Sequence, residues 1–74
     1  MERQLQIGKT IRMLRLRDKR TQTDLAAALG ISPQAVSRWE KGFSFPDITL
    51  LPSIARYFGV TIDALFDDRN ERSD

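Results

Sequence analysis

Start and stop signals for two consecutive short helices lie close together in the middle of the chain. Thr21 can cap the first of these helices, and Gly30 stands where a left-handed residue would end it. Ser32 can cap the next helix, and Pro33 takes its first position, where a missing N–H does no harm. Gly42 ends that helix. Any fold for this chain must therefore accommodate helices at 22–29 and 33–41 that only three residues separate.

The helix at 33–41 has two unlike faces. Helical periodicity puts polar and basic residues on one side, together with the proline: Pro33, Gln34, Ser37, Arg38 and Lys41. The other side holds Ala35, Val36, Trp39 and Glu40. The first face offers hydrogen-bond donors, acceptors and positive charge, which suits a helix that enters a DNA groove. We expect Trp39 in the core rather than stacked on a base.

A helix is also predicted before this pair, over residues 3–17. Ile7, Ile11 and Leu14 recur at the spacing of one buried stripe, whereas Leu16 points away from it. Gly8 lies within this helix and is expected to lower its stability by about 1 kcal/mol relative to alanine. The first three helices therefore account for most of the chain's first half.

The second half of the chain predicts two further helices and no strand. A fourth helix spans roughly 48–58, but Pro52 makes residues 47–50 a tighter turn before the regular helix. Thr61 can cap a very short fifth helix. Four aromatic or aliphatic residues are expected to fold onto the core: Phe43, Phe45, Leu65 and Phe66. Residues 1–66 then form one domain, and residues 67–74 form a flexible acidic tail.

The composition excludes several functions. The 74 residues include no cysteine and no histidine, which rules out disulfides, thiolate metal sites and Ser–His or Cys–His catalysis. The carboxylates are scattered, so we expect no metal, no cofactor and no enzyme activity. No segment is long and apolar enough to cross a bilayer, and no secretory signal is visible. The expected location is therefore the cytoplasm, where the protein would be associated with the nucleoid.

Positive charge is concentrated at the beginning of the chain. Residues 1–20 contain seven basic and two acidic side chains, a net charge of +5. Such a segment fits a polyanionic partner, but charge alone is more typical of a solvated helix face. The same two readings apply to the connector side chains Arg17, Lys19 and Arg20, which either contact phosphates or simply keep the connector soluble.

Two runs, Gln22 to Gly42 and Pro46 to Leu65, resemble the phage-repressor-like (Cro/C1, or Xre) helix-turn-helix family at fixed spacing. The resemblance covers nearly all of residues 5–66. It implies an all-α, compact five-helix bundle of the lambda-repressor-like type. In such a domain the third helix lies in the major groove of DNA and the second crosses the backbone.

The resemblance also implies roles for individual residues. The residues that would face base edges are Pro33, Gln34, Ser37 and Arg38. Those that would contact the DNA backbone are Gln22, Lys41, Gly42 and Phe43, to which we add Arg17 and Arg20 from the connector. Similar proteins pair an arginine at the position of Arg15 with the glutamate at the position of Glu40, so the resemblance implies a structural salt bridge between these two residues. A free carboxylate at the edge of the packing face would be costly.

Two hypotheses about function follow. The first is sequence-specific binding of double-stranded DNA by a transcriptional regulator, acting as a homodimer on a palindromic operator. The alternative is a protein-interaction module, such as an antitoxin or adaptor, that uses the same face. The alternative predicts a partner contact that is insensitive to salt and no preferred DNA sequence.

Overall fold

The computed structural model describes residues 6–66, which form five α-helices around one apolar core. The helices are α1 (Ile7–Arg17), α2 (Gln22–Leu29), α3 (Pro33–Lys41), α4 (Leu51–Phe58) and α5 (Ile62–Leu65). A 3-10 turn at Ile48–Leu50 precedes α4, as Pro52 predicts. No strand occurs in this part of the chain. The all-α, five-helix architecture expected from the sequence is confirmed.

Side-chain caps begin most of these helices. Thr21 and Asp24 bond reciprocally: the Asp24 N–H donates to Thr21 Oγ1 and the Thr21 N–H donates to Asp24 Oδ2, both at 2.9 Å. Ser32 and Thr61 accept bonds from backbone N–H groups in the same way. Because each cap satisfies a donor that the helix itself cannot use, the helix starts predicted at these residues are confirmed.

The first helix starts later than predicted. Gln6 lies outside it with φ −107° and ψ 20°, and its side chain makes no capping bond. The prediction of helix from residue 3 is therefore wrong at Gln6. Residues 1–5 and the predicted acidic tail at 67–74 lie outside the described part of the chain.

All five helices contribute to the core. The buried apolar residues are Ile7, Ile11, Leu25, Ala26, Val36, Trp39, Ile54, Ala55, Phe58 and Leu65. The core position expected for Trp39 is confirmed, since only 5% of this residue is exposed. None of the helices in residues 6–66 has the length and apolar character needed to cross a bilayer.

The aromatic residues near the loop were predicted incorrectly. Phe43 is 66% exposed, Phe45 55% and Phe66 40%, so none of them closes the core. Phe43 lies against Arg38 at the end of α3, and the other two line a shallow surface groove beside Ile48. Residues from the five helices already fill the interior, and these rings remain at its edge.

A close helix crossing positions α3 against α1. Gly8 is buried, and a Cβ atom at this position would lie 1.8 Å from the carbonyl oxygen of Trp39. The two backbones can approach this closely only because Gly8 has no side chain. The glycine that the sequence marks only as a weak point in a helix therefore sets the distance between α1 and α3.

Candidate nucleic-acid interface

The core holds α3 by one side and leaves the other side open. Val36 is fully buried and Trp39 nearly so, where α3 packs against α1 and α2. On the opposite side Gln34 and Arg38 are exposed, and Pro33 and Ser37 are partly exposed. The four residues expected to contact bases therefore share the accessible face of one helix.

An ion pair fixes the second half of α3 to α1. Arg15 donates from Nε to Glu40 Oε2 at 2.8 Å and from Nη2 to Glu40 Oε1 at 3.0 Å. Its remaining nitrogen, Nη1, donates to the carbonyl oxygen of Arg20 at 2.9 Å. The two side chains are only 11% and 4% exposed. The salt bridge expected between Arg15 and Glu40 is thus present in the fork geometry that gives such pairs their strength.

Gln22 joins this ion pair from α2. Its Nε2 donates to Glu40 Oε1 at 3.0 Å, so one carboxylate accepts three hydrogen bonds from two different helices. The hydrogen bond to Glu40 raises the pKa of Arg15 further above its already high value, against the opposing effect of burial. The sequence suggested only a phosphate contact for Gln22. Its bond to Glu40 was missed because the two residues are 18 positions apart.

Positive groups converge beside this network. A surface depression of about 280 Å³ is lined by Arg12, Arg15, Gln22, Glu40 and Lys41. It lies where α2 begins, and free N–H groups at a helix N-terminus favour an anion. Arg12 is an addition to the residues predicted individually from the sequence; the only signal for it was the basic character of residues 1–20. Within residues 6–66 no group of three or more carboxylates could hold a metal ion.

Arg17, which the structure places at the end of α1, and Arg20 in the connector already have partners within the protein. Arg17 pairs with Asp18 at 2.7 Å and also donates to the carbonyl oxygen of Phe58 at 2.9 Å. Its hydrogen bond with Asp18 lowers the pKa of that carboxyl group. The Arg20 guanidinium lies 5.4 Å from the ring centre of Tyr57. Both side chains thus contact residues of α4, and their predicted phosphate contacts remain predictions.

The backbone N–H groups of the two residues after α3 also donate hydrogen bonds within the protein. The Gly42 N–H donates to the Trp39 carbonyl at 3.1 Å, and the Phe43 N–H donates to the Arg38 carbonyl at 2.9 Å. Lys41 is exposed and keeps a charged side chain that could reach a phosphate. The Phe43 ring lies 5.8 Å from the Arg38 guanidinium carbon. Of the three residues expected to meet the DNA backbone here, only Lys41 has a free donor for that purpose.

Two known proteins with similar sequences are named as transcriptional regulators. The chain is 36% identical over 61 residues to the HTH-type transcriptional activator BcrR of Enterococcus faecalis, covering 82% of this chain but only 30% of BcrR. It is 46% identical over 46 residues to the uncharacterized HTH-type transcriptional regulator MJ0272 of Methanocaldococcus jannaschii, covering 62% of this chain and 70% of that protein.

Solved structures with a similar fold include repressor domains. The DNA-binding domain of the P22 C2 repressor matches with a TM-score of 0.82 at 27% identity, covering 100% of this chain and 96% of that domain. The SOS-response repressor LexA from Eubacterium rectale matches at 0.79 and 25% identity, covering 92% and 72% of the two chains.

One enzyme shares the fold over a small part of its length. The hydroxypropylphosphonic acid epoxidase from S. wedmorenis matches with a TM-score of 0.74 at 31% identity, but the match covers 82% of this chain and 32% of the enzyme. The helix-turn-helix family model matches residues 11–65, which is most of the chain. The chain therefore belongs to the helix-turn-helix family, of the phage-repressor-like (Cro/C1, Xre) type that its sequence resembles.

Proposed function

We propose that the chain binds double-stranded DNA in a sequence-specific manner as part of a transcriptional regulator, with α3 in the major groove. One observation carries the proposal: α3 exposes a row of polar side chains while its other face is held by the core and by Glu40. A rigid helix with one open polar face is the element that reads base edges in helix-turn-helix proteins. Such a protein would act in the cytoplasm, on the nucleoid.

Base recognition falls to Gln34 and Arg38, which are one helical turn apart and exposed. Glutamine can pair with adenine through two hydrogen bonds and arginine with guanine, each contributing about 1–3 kcal/mol of discrimination. Pro33 has no donor, so it can offer only an apolar contact, for example to a thymine methyl group. Ser37 is small and partly buried, which lets α3 approach the bases closely or adds one hydrogen bond.

The basic depression at the start of α2 binds the phosphate backbone of DNA. Lys41, Arg12 and Gln22 line it, and the charge of Glu40 is compensated by Arg15. Each phosphate neutralised there releases counterions, so affinity should fall steeply with salt. Arg17 and Arg20 could contact further phosphates only by leaving their present partners on α4.

A homodimer on a palindromic operator completes the proposal, because one module contacts only a few base pairs. Half-sites would then be about 34 Å apart. The second copy would pack against a groove of about 240 Å³ whose exposed lining residues include Phe45, Ile48 and Phe66. The exposed surface of these three residues is on the order of 300 Å² per copy, well below the roughly 800 Å² that each partner buries in a stable interface. Pairing should therefore be weak in solution and become effective on DNA.

The dimer can be tested by Ile48→Asp, since Ile48 is 75% exposed and contributes little to the core. We expect unchanged affinity for a single half-site and reduced cooperativity on a palindrome, measured by gel shift. Wild-type cooperativity in the variant would exclude this groove as the contact between copies.

The DNA proposal is tested by selecting bound duplexes from a random pool with three variants. Arg38→Ala should relax the preference at one base pair. Lys41→Ala should weaken all sequences about equally and reduce the salt slope by about 1. Arg56→Ala removes the same charge from the exposed side of α4 and serves as the matched control, with little effect.

Equal losses of affinity for all sequences in Arg38→Ala would contradict the assignment of base recognition. If the wild-type chain selected no duplex even at low salt, DNA binding itself would be excluded. The protein-interaction role, as an antitoxin or adaptor, would then be the remaining hypothesis.

A further inference from the structure

The same turn ends α2, α3 and α4. Each helix stops at a glycine with a left-handed backbone, with φ of 73°, 82° and 71° at Gly30, Gly42 and Gly59. The residue after each glycine donates its N–H to a carbonyl five positions earlier: Ile31 to Ala26 at 3.0 Å, Phe43 to Arg38 at 2.9 Å, and Val60 to Ala55 at 2.9 Å. In this turn the side chains of the two bonded residues are frequently in contact.

The pair of residues joined by this turn is similar in α2 and α4 but different in α3. At the end of α2 and of α4 the pair is an aliphatic residue and a buried alanine, and both aliphatic residues pack against the core. At the end of α3 the pair is Phe43 with Arg38, and both are exposed. Burial explains the first two contacts but not the third, because Phe43 keeps 66% of its surface in solvent.

A direct contact of Phe43 with the DNA backbone does not explain this residue either. Its ring has no hydrogen-bond donor, and its N–H is already given to the carbonyl of Arg38. What the ring does offer is a π face, and the guanidinium carbon of Arg38 lies 5.8 Å from its centre. That distance is within the range of a cation–π interaction.

We propose that Phe43 is a positioning residue for base recognition, whose ring holds the Arg38 guanidinium in place at the exposed face of α3. An unrestrained arginine samples many rotamers and loses that freedom when it binds a base. The turn at Gly42 and the ring of Phe43 restrict Arg38 before DNA arrives. Phe43 thereby determines specificity through Arg38 and not through a phosphate. The inference rests on the proposed DNA binding.

The test compares discrimination at a single base pair. The base pair read by Arg38 is first identified as the one whose preference disappears in Arg38→Ala. The ratio of the Kd for the wrong base pair to the Kd for the preferred one is then measured in Phe43→Leu and Phe43→Trp. Phe43→Leu should reduce this ratio by about 2- to 5-fold, the value of an exposed cation–π contact. Phe43→Trp should keep the ratio, because tryptophan is the best partner for a cation.

Two controls separate positioning from a general structural role. In the Arg38→Ala background, Phe43→Leu should no longer weaken binding to the preferred duplex. Val60→Ala alters the corresponding turn residue of α4, so it should lower the Tm but leave base preference unchanged. A measurement without DNA adds to these: in NMR spectra the side-chain protons of Arg38 should shift upfield through the ring current, and this shift should be lost in Phe43→Leu and restored in Phe43→Trp.

The possible results are distinguishable. If the wild-type chain selects a duplex and Phe43→Leu keeps the ratio, or weakens all duplexes equally, the positioning role is wrong and DNA binding stands. The same conclusion follows if Phe43→Leu weakens binding to the preferred duplex equally in the Arg38→Ala background. If the wild-type chain selects no duplex, the proposed function and the role of Phe43 in it both fail.

Discussion

Replacing Gly8 with alanine should destabilise this protein, although the same change would stabilise an isolated helix. Alanine has a higher helix propensity than glycine, and the gain would be about 1 kcal/mol. In the folded chain the added Cβ atom would lie 1.8 Å from the Trp39 oxygen, 2.7 Å from the Trp39 carbonyl carbon and 3.3 Å from the Glu40 Cα atom. The two effects have opposite signs, so their magnitudes decide the outcome.

The steric cost of the added Cβ atom should exceed the gain in helix propensity, because the atom is fixed to the backbone of α1 and meets backbone atoms of α3. No side chain can rotate to relieve it, so α1 and α3 must separate until the contact lengthens from 1.8 Å to at least 3.0 Å. Overpacking a core costs about 1–3 kcal/mol, and a rigid contact belongs at the upper end. With the propensity gain subtracted, the net loss is about 2 kcal/mol. For a domain of this size the Tm should fall by roughly 8–16 °C.

Thermal and urea unfolding of the full chain, followed by circular dichroism, measure this loss. A synthetic peptide of residues 6–18 with the same substitution isolates the local term, and its helicity should increase. A Gly8→Ala chain that unfolds at or above the wild-type temperature would refute the close crossing of α1 and α3. The peptide result would show whether the propensity estimate was at fault.

Three further changes test other parts of the fold. Glu40→Ala should lower the free energy of unfolding by about 3–5 kcal/mol, because it leaves the Arg15 side chain, which is 11% exposed, without its carboxylate partner. Replacing both residues together, as Arg15→Met with Glu40→Leu, should cost much less. Urea denaturation of the two variants checks this, and a loss below about 1 kcal/mol in Glu40→Ala would contradict it. The hydrogen bond from the backbone N–H of Thr21 lowers the pKa of Asp24. The stability that Asp24 contributes is therefore fully present above its unfolded-state pKa, and it is lost as the pH falls through the lower folded-state pKa. With no histidine in the chain, the Tm should stay nearly constant between about pH 5 and 8 and decline below about pH 4, and Asp24→Asn should weaken that acid dependence. Val36→Ala removes buried methyl groups from a fully buried residue and should lower the free energy of unfolding by about 2 kcal/mol in the same denaturation assay.

The helices were predictable because their signals are local. Thr21 bonds to Asp24 three positions away, and Ser32 bonds to Ala35 at the same spacing. Pro52 implied the irregular start of the fourth helix for an equally local reason. The position of Trp39 in the core followed from the periodicity of its own helix. The salt bridge between Arg15 and Glu40, in contrast, was expected only from the family resemblance, because nothing in the spacing of the two residues indicates it.

Several features of the site were not predictable from the sequence. The bond from Gln22 to Glu40 joins residues 18 apart, and the bond from Arg17 to the Phe58 carbonyl joins residues 41 apart. The same limitation explains the error at Phe45, whose exposure depends on how completely the five helices fill the interior.

The amino-acid sequence alone determined where four of the five helices begin, where two of them end at Gly30 and Gly42, and which face of α3 is polar. These properties depend on residues within about one helical turn of each other, or on the repeat of the helix itself. Tertiary structure decided that Gly8 permits a backbone contact and that Gln22 supports Glu40. It also decided that the Arg17 side chain lies against α4. Each of these depends on the distance between helices, which is set only when the whole core has packed.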